Sequence, residues 1–139
     1  SKEDGGLKLK GIVIDDAKAK LTGKWSSGNN LKPHYGPSYR YATAPASAKF
    51  PIRVKESGTY EVRFYWKNHE NRNTATQLTV TDTKGKKVIT LNQTKAPESE
   101  TYTSLGSFEF SDVLPASLEV SGEGSGFIAI DAIQLLKSE

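Results

Sequence analysis

Hydrophobic and polar residues alternate most clearly between Gly58 and Lys67. Tyr60, Val62, Phe64 and Trp66 fall on one parity, and Glu61, Arg63, Tyr65 and Lys67 on the other. A period of two marks a half-buried strand. Glu56-Ser57-Gly58 supplies a turn before it, and the polar loop Asn68 to Asn73 follows. The same parity appears at Phe50, Ile52 and Val54 within 48–54, and within 75–82 at Leu78 and Val80 against Gln77 and Thr79. Thr83-Lys84-Gly85-Lys86 reads as a hairpin turn returning into a strand over 88–91. Further strands are expected over 11–14, 38–42, 105–110, 117–120 and 126–136, with polar loops over 18–38 and 92–103. No segment carries the 3.6-residue period of an amphipathic helix. Short strands separated by turn signals predict an all-β, single-domain antiparallel sandwich.

Composition narrows the classes. With 139 residues the chain is of single-domain length. We expect the domain over 11–137 and a linker or cut remnant over 1–10. No Met is present, so we expect the chain to begin at a cut, and no signal peptide is recognisable. No Cys is present, which excludes disulfides and cysteine zinc sites. No apolar run reaches the roughly 18 residues of a membrane span. The net charge is +3, with acids and bases interspersed. Nucleic-acid binders cluster their bases instead, so no nucleic-acid partner is expected.

Candidate chemistry lies in the loops and on one strand face. A sugar offers apolar C–H faces and a rim of hydroxyls. Its site needs flat aromatic platforms and planar donors or acceptors such as Arg, Asn and Gln. Trp25, Tyr35 and Tyr39 lie in or beside the first long loop, and Trp66, His69, Asn71 and Arg72 end the central strand. Arg63 and Tyr65 face outward, and fall beside Gln77 and Thr79 if those two strands pair. The plainer readings are that Trp66 is core by parity, that Trp25 anchors its loop, and that Arg72 locks its own loop by binding carbonyls. Catalysis is not expected. His34 and His69 have no nucleophile of recognised context, and Glu56, Glu61, Glu70 and Asp82 are surface-type positions.

Several pieces, in order, resemble one family: Ile12-Val13-Ile14-Asp15-Asp16-Ala17, Thr22-Gly23-Lys24-Trp25, Tyr35-Gly36-Pro37-Ser38-Tyr39-Arg40-Tyr41, Gly58-Thr59-Tyr60-Glu61-Val62, Asn71-Arg72-Asn73-Thr74, Leu91-Asn92-Gln93-Thr94, Leu105-Gly106-Ser107-Phe108 and Ile130-Asp131-Ala132-Ile133. The chain is similar to the golvesin and xanthan-lyase carbohydrate-binding-like domain. The resemblance implies a jelly-roll sandwich appended to secreted bacterial polysaccharide-degrading enzymes. It implies a non-catalytic module, outside the cell, that targets a catalytic domain of the same parent chain to a polysaccharide. An acidic glycan such as xanthan is expected, read by Arg40, Arg63 or Arg72. In such folds the first and last strands pair. That pairing would gather Asp15, Asp16 and Asp131, which offer oxygen ligands for a structural calcium; the plainer reading is strand capping or pairing with Lys. No other cofactor is expected. The rival reading is a structural spacer or protein-interaction sandwich that binds no sugar.

Overall fold

The computed structural model describes residues 4–139. Its strands, in chain order, are β1 (Gly6–Leu7), β2 (Ile12–Asp15), β3 (Lys20–Thr22), β4 (Trp25–Gly28) and β5 (His34–Tyr35). Then come β6 (Tyr39–Thr43), β7 (Ala46–Ile52), β8 (Gly58–Tyr65), β9 (Thr76–Asp82) and β10 (Gly85–Leu91). β11 (Tyr102–Phe110), β12 (Ala116–Gly122), β13 (Phe127–Ile130) and β14 (Ala132–Lys137) complete the set. A single 3-10 turn, Asp16–Lys18, is the only helical element among the described residues. The architecture is the all-β sandwich expected.

Two sheets face each other. One runs β10-β9-β12-β7-β3 and the other β11-β8-β14-β2, both antiparallel throughout. Alternation places Phe50, Ile52, Leu78, Val80, Leu118 and Val120 of the first sheet between the layers. Tyr60, Val62, Phe64, Phe108, Ile133 and Leu135 come from the second. A small third sheet runs β13-β6-β4.

Four expectations change. β8 pairs with β11 and β14, while β9 lies in the opposite sheet. Arg63 and Tyr65 therefore do not neighbour Gln77 and Thr79. A tight hairpin uses two to five residues; the residues over 66–75 instead let the chain cross between layers. The loop expected over 18–38 contains β3, β4 and β5, short polar edge strands whose order comes from pairing with β7, β6 and β1. The strand expected over 126–136 is two strands, parted at Asp131. Its amide donates to Tyr65 O at 3.0 Å, and its own carbonyl accepts from the Asp16 amide at 3.0 Å. Of the linker expected over 1–10, residues 1–3 lie outside the described residues. The rest includes β1, which pairs in parallel with β5 through Gly6 and His34.

Candidate functional site

The acidic cluster forms where β2 meets the last strand, β14. β2 pairs with β14, setting Asp15 opposite Ala132. Asp16 starts the 3-10 turn, and Asp131 occupies the break between β13 and β14. One carboxylate oxygen from each of Asp15, Asp16 and Asp131 lies within 4.8 Å of the others. Each carboxylate is half satisfied. Asp15 Oδ2 accepts from the Ala17 amide at 3.1 Å, Asp16 Oδ1 from Arg40 Nε at 3.2 Å and Asp131 Oδ2 from the Tyr35 amide at 2.9 Å. The second oxygen of each, Asp15 Oδ1, Asp16 Oδ2 and Asp131 Oδ1, is buried without a hydrogen-bond partner. Burial pushes Asp16 up to about 8, with the Asp15 charge adding to the shift and Arg40 opposing it. Burial likewise raises Asp131 to about 7, against the Tyr35 amide. Three carboxylates this close, each with one buried oxygen lacking a partner, repel one another when ionised. They are also the oxygen donor set that a hard divalent cation takes.

Three of the five Trp and Tyr side chains expected to contact sugar are buried in the fold. Trp66 is 1% exposed, and its Nε1 donates to Thr103 Oγ1 at 3.0 Å. Tyr39 is buried with its hydroxyl donating to Asn30 Oδ1 at 2.6 Å. Tyr65, read as outward, is 3% exposed, and its hydroxyl donates to Gln134 Oε1 at 2.7 Å. None of these three rings shows a face to solvent. Trp25 is half-buried against the core, its Nε1 donating to Thr22 O at 3.0 Å. Tyr35 lines a shallow cleft with Leu7, Asp15, Gly36 and Pro37.

The arginines expected to grip a carboxylate are engaged as well. Arg40 binds Asp16. Arg72 is buried; its Nε donates to Lys67 O at 2.9 Å and its Nη1 to Asn71 Oδ1 at 3.0 Å. Arg72 thus locks its own loop. Gly126 closes against it at φ 86, where a Cβ would stand 2.7 Å from Arg72 O. Exposed His69 accepts from the Asn71 amide through Nδ1 at 3.3 Å. Asn73 and Gln93 extend this scaffold. Asn73 donates through Nδ2 to Glu123 O and Ser125 O, and buried Gln93 bonds to both backbone groups of Ala129.

One predicted residue remains at the surface with an aromatic partner. The Arg63 guanidinium lies 4.4 Å from the centroid of the Tyr102 ring, and its Nε donates to Glu61 Oε2 at 2.9 Å. Ser104 donates to the same Glu61 oxygen at 2.8 Å. These bonds hold Glu61 below the usual carboxylate range and Arg63 above its ordinary value. Glu61, Arg63, Tyr102 and Ser104 form a polar ledge with one half-buried ring on the outer face of β8 and β11. Tyr102 escaped the sequence reading because it opens a strand that begins inside the expected loop 92–103. Its signal was the shared parity of Tyr102 and Ser104 against Thr103 and Leu105.

This is a β-sandwich domain of the jelly-roll type found in carbohydrate-binding modules. The match to the Golvesin C-terminal domain covers residues 12–137, so the chain belongs to that family. It is 23% identical over 145 residues to the xanthan lyase of Bacillus sp. (strain GL1), covering 96% of this chain and 15% of that protein. The structure of Paenibacillus xanthan lyase superposes with a TM-score of 0.81 at 25% identity, over 91% of this chain and 13% of that one. A family 35 carbohydrate-binding module from Clostridium thermocellum shares the fold, with a TM-score of 0.62 at 12% identity, over 94% of this chain and all of that module. The chain thus spans about a seventh of the xanthan lyases it resembles.

Proposed function

We propose that this domain is a non-catalytic carbohydrate-binding module that holds an attached secreted enzyme on a polysaccharide. The supporting observation is the ledge of Arg63, Tyr102, Glu61 and Ser104. It sets the Arg63 guanidinium over the half-buried Tyr102 ring with the Glu61 carboxylate and Ser104 hydroxyl beside it, so planar and hydroxyl hydrogen-bonding groups share one surface with part of an aromatic ring, as a sugar's two kinds of surface require. Weak binding there raises the local substrate concentration for a neighbouring catalytic domain. The similarity to xanthan lyase and the net positive charge favour an acidic glycan of the xanthan kind. Asp15, Asp16 and Asp131 would hold a calcium ion through their three unpartnered oxygens. The ion would neutralise the cluster and tie β2, the 3-10 turn and the β13–β14 break together.

Affinity electrophoresis through gels containing xanthan or a neutral glucan tests the reading. Retardation by xanthan supports it. Unretarded migration in both gels, from a folded protein, would favour a spacer or protein-interaction role, which the many internally satisfied aromatic and Arg side chains also suit.

A further inference from the structure

The outer face of the five-stranded sheet holds a groove of about 460 Å³, in the range of ligand-binding clefts. Strand register dictates its lining. One row across the sheet reads Lys86, Thr81, Ser117, Pro51, and the next reads Val88, Thr79, Glu119, Lys49, Lys20. Every one of these has the parity opposite to the core residues Phe50, Leu78, Val80 and Leu118, so the row faces away from the sandwich interior.

Three features set this face apart. Lys20 and Lys49 stand directly opposite each other on β3 and β7. Like charges in register destabilise a sheet, so the fold gains nothing from the pair. None of Lys20, Lys49 and Lys86 forms an ion pair among the described residues, although Glu119 is the register partner of Lys49. On the floor, the hydroxyls of Thr79, Thr81 and Ser117 make no hydrogen bond to other protein groups among the described residues. Pro115 and Ala116 supply an apolar rim, and no aromatic ring lines the groove.

We propose that this groove is a second glycan site, which takes an acidic polysaccharide chain by its carboxylates. The inference rests on the reading of the domain as a carbohydrate-binding module and adds where the acid is read. Arg40, Arg63 and Arg72 are committed to protein partners, whereas the groove lysines are not. Strands lie about 4.8 Å apart, so Lys20 and Lys86 sit on strands about 19 Å apart across the sheet. That span suits an extended chain whose carboxylates recur along its length, with sugar hydroxyls bonding Thr79, Thr81 and Ser117 between them. A neutral glucan finds no stacking platform here and gains only the hydroxyl contacts.

The test compares wild type with the triple variant Lys20→Gln, Lys49→Gln, Lys86→Gln. All three side chains are exposed, so the fold is retained, and equal melting temperatures check this. Calorimetric titrations use native xanthan and xanthan with its carboxylates reduced to alcohols. The triple variant is expected to lose about tenfold or more in affinity for native xanthan, and to match wild type on the reduced polymer. Native xanthan is also expected to shift the NMR amide signals of Thr79, Thr81 and Ser117. A triple variant that binds native xanthan as wild type does overturns the groove while leaving the module reading intact. A wild type that binds neither polymer overturns both.

Discussion

Gln93 grips Ala129 at both backbone groups: its Nε2 donates to the Ala129 carbonyl at 2.8 Å, and its Oε1 accepts from the Ala129 amide at 2.9 Å. The side chain thus imitates a strand neighbour for β13 at a point where no strand is available. The single Thr76 hydroxyl proton is shared between the same Gln93 oxygen and Asn73 Oδ1, each 3.1 Å from Thr76 Oγ1. Gln93→Ala removes the partners of a buried N–H and a buried C=O. Each orphaned group costs about 1–3 kcal/mol, so we expect a loss of about 2–6 kcal/mol in urea denaturation. A loss below about 1 kcal/mol would contradict the clamp.

This clamp shows what the sequence made legible. Leu91-Asn92-Gln93-Thr94 stood out as a motif, but its partner lies 36 residues away, so only the folded chain reveals its role. The central strands were readable because their two faces meet different media. β3, β4 and β5 were not, because short polar edge strands follow their neighbours rather than a pattern of their own. The run around Asp131 hid its break, since Ile130, Ala132 and Ile133 are all buried on either side of it. The acidic triad was legible through the pairing of first and last strands. Tyr65 was read as outward because parity alone cannot show that Gln134, on the neighbouring β14, binds its hydroxyl and that the ring is buried.

Trp66→Ala should destabilise the domain by about 3–5 kcal/mol, as core Trp truncations do. Its indole is buried and hydrogen-bonded to Thr103. Denaturant unfolding of a Trp66→Ala protein with wild-type stability would return Trp66 to the list of surface platforms.

In chelator, the domain should lose stability as pH rises. Asp16 and Asp131 sit at about 8 and about 7 in the fold, against about 4 when unfolded. The folded state therefore binds more protons than the unfolded state between about pH 4 and pH 8, and stability falls across that window. We expect the melting temperature in EDTA to be higher at pH 5 than at pH 8, with a flatter profile for Asp131→Asn. A rise from pH 5 to pH 8 would contradict the burial of these carboxylates.

Calcium should oppose that loss. At pH 8, calcium at about a hundred times its dissociation constant adds about 2.7 kcal/mol to the native state, a shift of several degrees in melting temperature. Scanning calorimetry should show this rise in wild type and its loss in Asp131→Asn. Identical melting curves with calcium and with EDTA would leave the triad without an ion.

Calorimetric titration of wild type and Tyr102→Ala with native xanthan is the most direct measurement of polysaccharide binding. Tyr102 is half-buried beneath the Arg63 guanidinium, and aromatic anchors carry a large share of binding energy. The account predicts measurable binding by wild type and at least about tenfold weaker binding by Tyr102→Ala, with the melting temperature little changed. Equal affinities for the two proteins would contradict the ledge as the binding surface, and absence of heat from a folded wild type would contradict carbohydrate binding itself.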